Sequence, residues 1–137
     1  MKRHHPIRIA ALVLAALIGG AGHAAVVVIV SAKAGAPPAL EVICQAYLGK
    51  TNLPAALNNL AGNSSLRDEF YSKACHKDPT QVRSIWSKLI FTGMATPPPE
   101  LESDRDVKKM VAADPNRVGY IDNMNVDASV KIIATLN

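Results

Sequence analysis

The sequence predicts an α/β fold, a small mixed sheet flanked by helices, on three observations. Strand-like and helix-like segments interleave along the chain. The run Val26 to Val30 is continuous, apolar and rich in β-branched residues, which suits a strand covered on both faces. Several later segments carry apolar residues at helical spacing, and some open on recognisable caps.

The first 24 residues stand apart from this body. Lys2, Arg3 and Arg8 precede an uncharged apolar stretch, Ile9 to Ile18, and a small-residue region ending Gly22-His23-Ala24. That order is a cleavable secretory signal peptide. Gly19, Gly20, Gly22 and His23 interrupt the run before it reaches the ~20 apolar residues of a spanning helix. No cysteine follows to carry a lipid. The expected organisation is a signal peptide over residues 1–24 and one domain over residues 25–137, exported to the periplasm, with no membrane span after cleavage.

Export changes the charge argument. The chain has 15 basic and 11 acidic residues, and removing the leader leaves 12 against 11. The isoelectric point of about 9.2 therefore owes much to the leader. A nucleic-acid binder needs a basic face, and none is evident. Lys108 and Lys109 sit among Asp104, Asp106 and Asp114, the pattern of a solvated helix face.

After the first strand, Ala34 to Pro38 reads as a Gly/Pro loop. Leu40, Ile43, Cys44, Tyr47 and Leu48 follow at helical spacing, and Gly49 is placed to end that helix. Thr51 to Gly62 reads as loop, with at most a short strand at Ala56-Leu57. Ser65-Leu66-Arg67-Asp68 resembles a capping-box start, with Leu66, Phe70 and Ala74 on one helix face. Asp78-Pro79-Thr80-Gln81 is a stronger start, and Val82, Ile85, Trp86, Leu89 and Ile90 make an amphipathic stripe behind it. Pro97, Pro98 and Pro99 forbid helix and run extended. Ser103 to Asp106 opens a further helix with Val107, Met110 and Val111 inward, stopped by Asp114-Pro115. Val118 to Ile121 and Val130 to Leu136 are expected strands.

The inventory of reactive groups is thin. His76 is the one histidine after the leader, beside Lys77 at a helix end, where it complements the helix dipole. No phosphate-cradling Gly-rich loop, zinc motif or nucleophile elbow occurs, so no enzyme, metal or cofactor is expected. Cys44 and Cys75 lack metal-ligand spacing. Export permits a disulfide between them; two half-buried thiols on separate helices is the other reading. One candidate anion site remains, at Asn63-Ser64-Ser65-Leu66-Arg67. The opening turn of a helix presents unpaired N–H groups, Ser64 and Ser65 add hydroxyls, and Arg67 forks toward oxygens. A plain N-cap with a solvent-facing arginine has the same sequence.

The stretches Val26 to Lys33, Ala46 to Lys50, Ser64 to Lys73, Gln81 to Gly93, Ser103 to Ala113 and Val118 to Asp122 resemble, in order, the second lobe of the phosphate-binding proteins of ABC transporters. These have the type 2 periplasmic binding protein fold, and the chain looks like a short, single-lobe relative. In that family the helix-start loop reads Gly-Ser-Gly-Thr-Arg. Ser64 and Arg67 match it, whereas Asn63, Ser65 and Leu66 depart from it. The resemblance implies phosphate or a similar oxyanion as ligand, held at Asn63, Ser64, Ser65 and Arg67, with Ser31 facing the same cleft by analogy. It also implies that the enclosing first lobe is missing, so binding is expected to be weak. The alternative is a periplasmic module that has lost its ligand and contacts a protein partner or a second copy of itself, for which the apolar Leu66 is suited.

Overall fold

The computed structural model describes residues 25–137; the expected signal peptide, residues 1–24, lies outside the described residues. In chain order the elements are β1 (Val26–Ser31), α1 (Leu40–Tyr47), β2 (Ala56–Leu57), β3 (Asn59–Leu60), α2 (Ser65–Cys75), α3 (Pro79–Phe91), β4 (Glu100–Leu101), α4 (Asp104–Ala113), β5 (Arg117–Asp122), a 3₁₀ turn (Asn123–Asn125) and β6 (Val130–Leu136). The main sheet runs β2-β5-β1-β6, and β3 and β4 form a separate two-stranded ladder. It is a mixed sheet. β1 is antiparallel to both β5 and β6, while β2 lies parallel to β5.

All six residues of β1 are buried. In an antiparallel sheet this needs cover on both faces, and two helix layers supply it. Alternation along β5 separates them. Gly119 faces α4 so closely that an added Cβ would stand 2.5 Å from Val107 and 3.0 Å from Val111. Tyr120, one residue on, faces the other way and stacks on Phe70 of α2 with ring centroids 4.2 Å apart. Tyr47 of α1 meets the same rings edge-on, at 4.8 Å from Phe70 and 5.8 Å from Tyr120. Gly49, with φ +71°, takes the left-handed turn that ends α1, and Leu89 and Trp86 of α3 close over it.

Cys44 of α1 and Cys75 of α2 form a disulfide, with Cα atoms 5.6 Å apart. Its closed loop of 31 residues is of a size that stabilises by about 3–4 kcal/mol through the unfolded state. It fastens together the two helices whose aromatic residues fill one side of the sheet.

Local chemistry accounts for most helix ends. Asp78 accepts from the Gln81 N–H and the Gln81 side chain accepts in return, with Pro79 in the first turn. Ser103 caps α4. His76 ends α2 in the left-handed conformation. Three sequence expectations need correction. Ser64, not Ser65, is the N-cap of α2, because its hydroxyl accepts from the Arg67 N–H. Met110 is 38% exposed rather than inward, since it sits at the rim, where its sulfur receives Asn58 Nδ2. Ile90 is exposed, at the lining of the hollow between α2 and α3 rather than in the core.

Candidate functional site

The opening turn of α2 is built from a tight bend and a serine cap. The Ser64 N–H donates to the Ala61 carbonyl, 3.0 Å away, turning the chain from β3 into the helix. The Ser64 hydroxyl then accepts from Arg67 N at 3.3 Å. The N–H groups of Ser65 and Leu66 are the first two of the helix and have no carbonyl one turn back. Asn63 and Ser65 are exposed, and Leu66 is half-buried.

Arg67 leaves this turn toward the small ladder rather than toward solvent. Its Nη1 donates to the Leu60 carbonyl at 2.7 Å and to Glu100 Oε1 at 2.6 Å. The guanidinium also stands over the Tyr71 ring, 5.7 Å from its centroid. The arginine side chain is 16% exposed and the glutamate 52%. Glu100 reaches it because β3 and β4 pair with Leu60 opposite Leu101 and Asn59 opposite Glu100.

The acceptor Leu60 is itself held from the core. Its N–H donates to the Asn59 side chain at 3.0 Å and to the Tyr120 hydroxyl at 3.2 Å. Asn59, buried, accepts from Tyr120 through Oδ1 and donates from Nδ2 to Tyr71 at 2.9 Å. Tyr71 and the Trp86 indole both donate to the Tyr47 carbonyl. Burial raises the pKa of Tyr47, Tyr71 and Tyr120, and the Arg67 charge acts the other way on Tyr71 and Tyr120.

Two hollows flank the opening turn, and they differ in charge. One, of about 320 Å³, lies between α2 and α3 and is lined by Arg67, Asp68, Arg83, Tyr71 and Trp86. The other, also about 320 Å³, is lined by Ser64, Ser65 and Leu66 and by Glu102, Asp104 and Asp122. In it Asp104 Oδ2 accepts from the Asp122 N–H at 3.0 Å and from Asn125 Nδ2 at 2.8 Å. The two serines therefore look onto carboxylates, while the Arg67 side chain lines the opposite hollow. The turn is brought together as a local unit, but its hydroxyls and its guanidinium do not share one cavity.

Ser31 does not join them, against the expectation that it faces the same cleft. It is buried, and its hydroxyl donates to the Ala112 carbonyl at the far end of α4 and accepts from the Lys33 N–H. Asp104, which lines the serine hollow, starts that same helix, and Asp122 of the hollow pairs with Val26 at the other end of β1. Five residues of strand, about 17 Å, separate the two places. Glu100 was not legible as a partner. Glu100 and Glu102 alternate about Leu101, a faint strand signal, but nothing local names Arg67 across 33 residues. Among the described residues no three His, Cys, Asp or Glu side chains gather as a metal site, and no helix is long and apolar enough to cross a membrane.

The fold thus defined is that of one lobe of a phosphate-binding-protein-like body. Solved structures share it, among them the following two. One is an ABC-type phosphate transport receptor from Vibrio cholerae, 18% identical, with a TM-score of 0.59 over 80% of this chain and 45% of the receptor. The other is described as a phosphate ABC transporter substrate-binding protein, with bound phosphate, from Clostridium perfringens, 18% identical, with a TM-score of 0.60 over 80% of this chain and 44% of that protein. The chain spans less than half the length of either, and at this identity the likeness is one of fold. No protein-family model matches the chain, and no curated protein does.

Proposed function

We propose that the chain is an exported phosphate-binding-protein-like module that takes phosphate or a similar small oxyanion, weakly, at the opening turn of α2. The observation that carries this reading is Arg67. Its guanidinium sits at the C-terminal end of β3 and already holds an anionic oxygen 2.6 Å away, so its presentation suits a charge-assisted bond to an anion. Arg83, across the same hollow, adds a second positive charge. The proteins that share the fold include a phosphate transport receptor and one with bound phosphate.

Weakness follows from the neighbours. Ser64 uses its hydroxyl as a cap, and Ser65 opens onto Glu102, Asp104 and Asp122. A few hydrogen bonds of about 1–3 kcal/mol each must offset an association cost of about 4 kcal/mol or more, which gives a Kd on the order of millimolar. Titration calorimetry with inorganic phosphate tests the reading. Arg67→Gln should abolish the signal and Arg83→Gln, on an exposed side chain, should weaken it severalfold without changing the melt. Unchanged isotherms in both variants would reject the site.

The alternative, a protein-contact module that has lost its ligand, is favoured by the far end of α3. Ile90, Met94 and above all Phe91, 93% exposed, present apolar surface to solvent there. Under that reading cross-linking captures a dimer or complex, and phosphate leaves the melting temperature unmoved.

A further inference from the structure

Glu100 is the carboxylate that Arg67 holds in the folded chain. This inference rests on the oxyanion reading above and deepens it. The guanidinium of Arg67 is mostly buried and is fixed from behind, by the Leu60 carbonyl and the face of Tyr71. Leu60 is in turn fixed by Asn59 and Tyr120. The cation is therefore held by a chain of hydrogen bonds that runs back to buried core residues. Its carboxylate partner is different in kind. Glu100 is half-exposed and belongs to a strand of two residues.

The backbone on either side of Glu100 is pinned. The Asn59 N–H donates to the Pro99 carbonyl at 2.9 Å, and the Ala61 N–H donates to the Leu101 carbonyl at 3.1 Å. Release of Arg67 thus needs only rotation of the Glu100 side chain into water, with the β3–β4 ladder intact. A rotation of this kind at a half-exposed side chain is fast, and it loses little on the Glu100 side, where water replaces the contact.

Charge decides what the contact does. With Glu100 in place the Arg67 charge is neutralised, and an arriving phosphate also meets Glu102, Asp104 and Asp122 on the other flank of the turn. With Glu100 turned away, Arg67 loses its carboxylate partner, and its guanidinium lines the α2–α3 hollow together with Arg83 and Asp68. We infer that Glu100 is the resident anion of the Arg67 site, an intramolecular competitor that sets the affinity for phosphate and leaves by side-chain rotation. Gross affinity of the site is then higher than the affinity of the native protein.

The test is phosphate calorimetry on the native protein, on Glu100→Gln and Glu100→Ala, and on Glu100→Ala combined with Arg67→Gln. Glu100→Gln keeps the shape of the side chain should the alanine disturb β4, and melting without phosphate checks folding in each. Removing the carboxylate should tighten phosphate binding severalfold, the scale of one ion pair with a half-exposed partner. The added Arg67→Gln should cancel the gain. Native binding that stays unchanged in both Glu100 variants would overturn the resident-anion inference and leave the phosphate reading standing. A gain that survives Arg67→Gln would overturn it as well, since the competition would not run through Arg67. No binding in any form would overturn both.

Discussion

The two ends of α2 live in different chemical worlds. Its second half carries Phe70, Tyr71 and Cys75, all buried, stacked on Tyr120 and bonded to α1 through the disulfide. Its opening turn carries Ser64, Ser65 and Arg67, at the surface between two hollows. The buried half closes its polar accounts within the protein, because each tyrosine hydroxyl finds Asn58, Asn59 or a carbonyl. The opening turn is closed by a side chain half in water, Glu100. Leu60 joins the two, with its N–H held by the core and its carbonyl holding Arg67. A buried, hydrogen-bonded core positions the cation, and a half-exposed carboxylate neutralises it.

The comparison breaks most severely at Phe70. Its ring is fully buried, stacked on Tyr120 and edge-on to Tyr47 and Tyr71. Phe70→Ala deletes the centre of that cluster and should destabilise by about 3–5 kcal/mol. Denaturant titration measures it. If the core positions the cation, the same variant should also weaken phosphate binding without touching the site. A loss of less than 1 kcal/mol would show that the two halves of α2 are not divided as described.

Alkali sharpens the contrast without a mutation. Tyr47, Tyr71 and Tyr120 have pKa values raised by burial from an ordinary value of 10.0. Below pH 10 both folded and unfolded chains keep these protons, and there is no dependence. Above pH 10 the unfolded chain releases them while the folded chain retains them. Unfolding then gains with each unit, and stability falls by up to about 1.4 kcal/mol per pH unit for each tyrosine. Stability followed by denaturant titration from pH 9 to 11.5 should bend downward above 10, and the bend should shrink in Tyr120→Phe. A flat profile would mean the hydroxyls are not held neutral by burial.

What could be read from the sequence divides along the same line. β1 was legible because its β-branched run reports burial locally, and β6 because its β-branched residues favour a strand even though only its ends, Val130 and Leu136, are buried. The start of α3 was legible because Asp78, Pro79 and Gln81 act within one turn. The opening of α2 was legible to within one residue, Ser64 against Ser65, because two adjacent serines offer equal caps. β3 and β4 were not legible, since two residues carry no periodicity and their pairing spans some forty positions. For the same reason Arg67 was identified as the candidate while Glu100, which decides its state, was not. Ser31 shows the opposite failure. Its place at a strand end suggested a cleft, but only the packing of α4 reveals that its hydroxyl is used by Ala112.

The smallest effect tests the surface half alone. Ser64 supports α2 through one bond, at 3.3 Å, to the Arg67 N–H. Ser64→Ala leaves that N–H to water and should cost about 1 kcal/mol, the usual loss at an N-cap. Nothing in the aromatic cluster touches Ser64, so the alkaline bend above pH 10 should persist unchanged. Arg67 still has Leu60 and Glu100 as acceptors, so phosphate affinity should move less than in Glu100→Ala. Thermal melting of the variant beside titration calorimetry reads both quantities. If Ser64→Ala instead abolished phosphate binding while costing no stability, the serine would be serving the anion rather than the helix, and the division between cap and cation drawn here would have to be reversed.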